Sequence, residues 1–195
     1  VDSGVAELIG FHPVAFHAHA FEGRAAVDDP AARAAAEVVL AVGRHFDHVG
    51  AEEVHHVAQL VGKAAARNFE AYVEQGGHIV FGVRSGLKDE NNVMVDIPWP
   101  GLLAGLCGIT GEEFEAFPAH AWNQVSYQGR DYDVRWWADV LAAGPARIEA
   151  VYAGRFYRGA PAITRHRVGK GSAAYIGVAG CPELLRDYFR DRLKE

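Results

Sequence analysis

Apolar and polar positions change rhythm sharply near the middle of this chain. Over 63–75 the apolar residues Ala66, Phe69, Ala71 and Val73 fall near helical spacing, and Gly76 stops the run. A short apolar strand over 78–82 follows, then a dense polar loop: Arg84, Ser85, Gly86, Leu87, Lys88, Asp89, Glu90, Asn91 and Asn92. Helix, glycine stop, buried strand and polar loop together predict half of a βαβ crossover. Such a loop lies at the carboxyl end of its strand, where binding groups collect in open α/β sheets.

Upstream, 14–18 reads as a strand entered through Pro13, and Asp28-Asp29-Pro30 opens a helix over 31–42 that ends before Gly43. Between 44 and 62 no period decides between strand and helix. Downstream, Pro98-Trp99-Pro100-Gly101 predicts a turn, 102–106 a short helix closing at Gly108, and 113–117 a strand before an irregular stretch to Gly129. The run 134–141 is rich in strand formers, and 148–153, 162–167 and 172–178 read as three further strands. Gly159 turns between the first two of these, and Gly169-Lys170-Gly171 joins the last two as a hairpin. An amphipathic helix over 182–194 closes the chain, with Leu184, Leu185, Tyr188 and Leu193 on one side. This order predicts an α/β fold, a mainly parallel sheet with helices on both faces and an antiparallel C-terminal extension.

Composition narrows the partners. At 195 residues and 50% hydrophobic, the chain supports one substantial core, so a single domain over 1–195 is expected. A net charge of −6 with interspersed signs argues against nucleic acid, and no apolar run is long enough to span a bilayer. Two cysteines are too few for a disulfide scaffold and point to a reducing, cytoplasmic setting. No signal peptide is expected, and the start at Val1 points to a fragment or a processed chain.

Three motif groups carry a resemblance. They are EAYVEQGGHIVFGVRSGLKDENN, then WPGLLAGLCGITGEEFEAF, then the distal WADVLAAGPARIEAVYAGRFYRGAPAITRHRVGKGSAAYIG. Together they resemble the trimerisation domain of the beta-galactosidases of glycoside hydrolase family 42, most strongly over 64–193. The resemblance implies a flavodoxin-like, class I glutamine-amidotransferase-like fold that serves assembly rather than catalysis. It implies self-association into a trimer as partner chemistry, beside a catalytic TIM barrel that this chain lacks, and no cofactor. The N-terminal third departs from the family pattern, with His55-His56-Val57-Ala58-Gln59-Leu60-Val61 where relatives carry a plainly apolar strand.

An amidotransferase-like hydrolase needs a nucleophile on the turn after the strand, and Ser85 is the only hydroxyl there; Cys107 and Cys181 lie elsewhere. The competing reading makes Arg84, Lys88, Asp89 and Glu90 ion pairs and caps that hold the loop against a neighbouring subunit, with Ser85, Asn91, Asn92 and Trp99 at the same contact. The acid pairs Asp28-Asp29, Glu52-Glu53, Asp89-Glu90 and Glu112-Glu113 are adjacent in sequence and cannot flank one glycosidic bond, so they read as solvated faces. Ten histidines, among them His17, His19, His45, His48, His55 and His56, show no metal-ligand spacing, so no metal is expected. Gly169-Lys170-Gly171 lacks the context of a phosphate loop. Trp99, Trp122, Trp136, Trp137, Tyr127, Tyr132, Phe156 and Tyr157 crowd the second half, a composition suited to subunit contact or to a stand-alone carbohydrate-binding surface.

Overall fold

A computed structural model of the chain describes residues 59–192. The strand expected over 14–18, the helix over 31–42, residues 44–58 of the undecided stretch and Leu193 of the closing helix lie outside these residues.

Helix α1 (Lys63–Glu74) turns Phe69 and Val73 into the interior. Phe69 meets Phe81 of strand β1 (His78–Phe81) edge to face, with ring centroids 5.5 Å apart. Between them Gly76 adopts φ 114°, and Gly77 donates its N–H to the Tyr72 carbonyl at 2.9 Å, closing the helix. After the polar loop, a 3-10 turn (Gly101–Leu103) runs into the single-turn helix α2 (Ala104–Cys107), which ends at left-handed Gly108.

From there the described chain is mostly strand: β2 (Ile109–Ala116), β3 (Asn123–Tyr127), β4 (Arg130–Val134), β5 (Trp137–Ala143), β6 (Arg147–Tyr152), β7 (Pro161–Val168), β8 (Gly171–Ile176) and β9 (Val178–Ala179). Helix α3 (Pro182–Arg192) follows. One sheet has the order β1-β8-β7-β6-β3-β4 and the other the order β2-β5-β9. Among the named strand pairs of the described residues, β1–β8 alone is parallel, with His78 opposite Ser172 and Phe81 opposite Tyr175. Every other named pair is antiparallel.

This overturns the expected flavodoxin-like, amidotransferase-like architecture. A parallel sheet needs a long crossover, usually a helix, between successive strands. Here no helix separates any two consecutive strands from β2 to β9, and several join through tight turns. The result is a curled mixed sheet beside a small antiparallel one, not a parallel sheet sheathed in helices on both faces. The stretch expected to be irregular before Gly129 holds β3, and Gln128 (φ 48°) and Gly129 (φ 79°) form a two-residue turn into β4. The run 134–141 is split, because Arg135 and Trp136 separate β4 from β5.

Strand β8 is buried along its whole length and divides two apolar clusters. Ala173 and Tyr175 pack with α1, β1, Leu103, Leu106 and Ile109. Ile176 belongs to the other cluster, with Val125, Tyr127, Tyr132, Tyr152 and Ile163 and the inner side of α3, Leu184, Leu185 and Tyr188. Period-two alternation places these residues on opposite faces of the strand.

Candidate functional site

The polar loop begins on a strained backbone. Arg84 sits at φ 62°, a left-handed conformation that an arginine seldom adopts. What holds it is Asp139 of β5, a carboxylate only 1% exposed. Its Oδ2 accepts the Arg84 N–H at 3.0 Å and the Tyr175 hydroxyl at 2.8 Å, and its Oδ1 accepts the Trp137 indole N–H at 2.7 Å. Trp99 extends the network by donating its indole N–H to the Tyr175 oxygen at 3.3 Å. Burial raises the Asp139 carboxyl above its ordinary value, against the opposing pull of these donors. Burial also raises the Tyr175 phenol, helped by the Asp139 charge beside it. Three donors converge on the carboxylate among the described residues, yet burial outweighs them. The Arg84 guanidinium lies 4.9 Å from the centre of the Trp137 ring, and Phe114 stacks on that ring at 4.9 Å and 11°.

Ser85 is 2% exposed, and its hydroxyl donates to the Gly82 carbonyl at 2.8 Å. No imidazole bonds it among the described residues: His78 faces Ser172 and His166 faces the Leu106 carbonyl. The thiols offer no substitute. Burial raises both, Cys107 far up and Cys181 up to about 12, so neither supplies thiolate at neutral pH. The turn is therefore strained at Arg84, while the Ser85 hydroxyl beside it is buried and committed to the Gly82 carbonyl.

Beyond Ser85 the loop is knitted by backbone and caps. Lys88 forms single bridges to Leu60 and Met94, making a small ribbon. The Asp89 Oδ1 accepts the N–H groups of Asn91 and Val93, both at 2.9 Å, and the Lys88 Nζ donates to the Asn92 Oδ1 at 2.8 Å. These N–H groups, that of Val93 foremost, hold the Asp89 carboxyl below its ordinary value. Glu90, Asn91 and Asn92 are exposed, and no ion pair within the loop is found among the described residues. Around them stand exposed apolar side chains, Leu60, Val93, Met94 and Ile97, each about half accessible. Trp99 is half-buried on β2, where its carbonyl accepts the Gly111 N–H at 2.7 Å.

The other sequence candidates disperse. Tyr127, Tyr132 and Tyr157 are core residues, whereas Trp122, Trp136 and Phe156 are exposed. Glu112 and Glu113 are exposed on β2. Six of the histidines considered (His17, His19, His45, His48, His55, His56) and the pairs Asp28-Asp29 and Glu52-Glu53 lie outside the described residues. Within those residues, no three His, Cys, Asp or Glu side chains cluster as metal ligands. Sequence reasoning missed Asp139 and Tyr175; the one available signal was a lone acid inside the apolar run Trp137-Ala138-Asp139-Val140-Leu141.

Comparison with known proteins places this geometry. Residues 56–195 match the family model of the beta-galactosidase trimerisation domain. The chain is 33% identical over 119 residues to a beta-galactosidase of Geobacillus sp. (strain Y412MC61), a match covering 61% of this chain and 18% of that protein. It is 30% identical over 143 residues to a beta-galactosidase of Clostridium perfringens, covering 70% of this chain and 21% of the other. Among solved structures, the beta-galactosidase from Halorubrum lacusprofundi superposes with a TM-score of 0.66 at 29% identity, covering 70% of this chain and 20% of that one. The beta-galactosidase from Rahnella sp. R3 does so with a TM-score of 0.68 at 26% identity, over 70% and 21%. The chain thus spans about a fifth of the length of these relatives.

Proposed function

The chain belongs to the family of beta-galactosidase trimerisation domains, and from that premise we propose that it holds copies of a longer beta-galactosidase-type glycoside hydrolase together. Catalysis belongs to a barrel elsewhere in that enzyme, and this domain takes no cofactor. The contact runs along the loop after β1, through Arg84, Ser85, Lys88, Asp89, Glu90, Asn91, Asn92 and Trp99. Ser85 is buried there and acts by fixing the turn, whereas the exposed members meet the neighbour. One observation carries the reading: Leu60, Val93, Met94 and Ile97 expose apolar side chains along the loop that also carries Lys88, Glu90, Asn91 and Asn92, with Leu60 and Met94 bridged to Lys88. An apolar centre with a polar rim is the anatomy of a protein interface. Neither nucleic acid nor a membrane is a proposed partner, because the net charge is −6. Two free, buried thiols suit the cytoplasm. Light scattering on the eluting protein tests the reading: the expected particle is three times the chain mass, and a monomer at every concentration sinks it.

A further inference from the structure

We infer that the Arg84 guanidinium is the receptor for a carboxylate carried by a second copy of this chain. The inference rests on the assembly reading above and names the contact at its centre. A guanidinium presents five N–H donors in a fixed fork, a match for a carboxylate. Among the described residues no ion pair includes Arg84, and its Nε is buried without a hydrogen-bond partner, so the outer Nη groups of the fork are the ones left to meet a second copy. Asp139, the neighbouring acid, spends its oxygens on the Arg84 backbone N–H, Trp137 and Tyr175 instead.

The side chain is nonetheless held in place. The backbone is locked at φ 62° by Asp139, and the guanidinium is stacked over Trp137. A fork already ordered gives up little freedom on meeting its partner. A residue kept in strain, positioned by a buried network and left without an ion-pair partner is built for something outside the described fold. Phe114, stacked on Trp137 and 57% exposed, supplies an aromatic flank that would exclude water from the pair.

The occupant is a second copy because Arg84 opens the same loop that carries the exposed Val93, Met94 and Ile97, and because acids are in excess on this chain. Glu90, Asp96, Glu112 and Glu113 are exposed and enter no ion pair among the described residues. In a closed ring each copy presents two different surfaces, so an acid off the Arg84 loop, Glu112 or Glu113 of β2, would meet the guanidinium of the next copy at every junction.

The test is a dilution series of the full chain followed by light scattering, for the wild type, Arg84→Gly and Arg84→Lys. Arg84→Gly relieves the left-handed backbone and keeps the N–H that Asp139 binds, so the fold survives while the fork is lost. Arg84→Lys keeps the charge without the fork and guards against a Gly variant that misfolds. Both variants should associate at least about tenfold more weakly than wild type, with unchanged circular dichroism, and wild-type association should weaken as salt rises. A wild type that assembles while both variants assemble equally well overturns the role of Arg84 and leaves the assembly reading standing. A wild type that never assembles overturns both.

Discussion

Asp139 decides the local order of the site. Asp139→Ala orphans one buried and two part-buried donors, so a loss of about 3 kcal/mol is expected in urea unfolding, with the Arg84 turn released. Its pH behaviour follows from burial. The carboxyl is raised above its ordinary 3.8, so the folded protein keeps this proton to higher pH than the unfolded chain does. The stability this group contributes is therefore greatest below 3.8, falls as pH climbs to the folded value, and is flat above it. Against Asp139→Asn, which cannot titrate, the wild type should lose relative stability over that window; an unfolding difference independent of pH refutes this. Burial likewise silences the thiols, so iodoacetamide should alkylate Cys107 and Cys181 only after denaturation, and a fluorophosphonate should leave Ser85 untouched. The polar loop could be read from its residues, because Arg, Lys, Asp and Asn in close order cannot all be buried. The strained angle of Arg84 and the cage around Asp139 could not, since Arg84 and Tyr175 meet Asp139 from 55 and 36 residues away in the chain.

At the scale of elements, α1, β1, α2, β6, β7, β8 and α3 lie close to where pattern and glycine placement put them. Their pairing was not legible. Propensity describes a strand's surface, not its neighbour, and a helix-then-strand opening suits a parallel sheet as well as this mixed one. The hairpin at Gly169-Lys170-Gly171 shows what such turns also do. The Lys170 N–H donates to the Glu74 carbonyl at 3.1 Å and the Ser172 N–H to the Gly77 carbonyl at 3.1 Å, so the turn caps α1 from a distance. A Cβ on Gly171 would stand 2.0 Å from the Gly77 oxygen, so Gly171→Ala should push β8 off that turn and lower the unfolding midpoint sharply. Helix α3 is pinned differently. Glu149 of β6, 5% exposed, takes Arg165 at 2.9 Å, Arg192 at 3.2 Å and the Tyr188 hydroxyl at 2.9 Å. Glu149→Ala should cost about 3 kcal/mol and speed amide exchange in α3 first; uniform loss of protection across the domain would contradict that anchoring role.

For the whole molecule, the exposed apolar residues sort by place. Those along the loop, Leu60, Val93, Met94 and Ile97, form the proposed contact, so Met94→Glu should weaken self-association at least about tenfold without altering unfolding of the dissociated chain. Sedimentation of the variant at several loading concentrations checks it. At the outer edge of the larger sheet, β4 carries Arg130, Asp131 and Asp133, and such charge discourages pairing with stray strands.

The parallel pairing of β1 with β8 governs how this domain comes into being. A ribosome delivers His78 long before Ser172, so β1 must wait unzipped, with α1 alone to cover Ile79 and Phe81, while more than 90 further residues are synthesised, the two partners lying 94 apart. Any transcript or protease that stops the chain ahead of Gly171 strands that apolar segment permanently, and the cell receives sticky debris in place of a clamp.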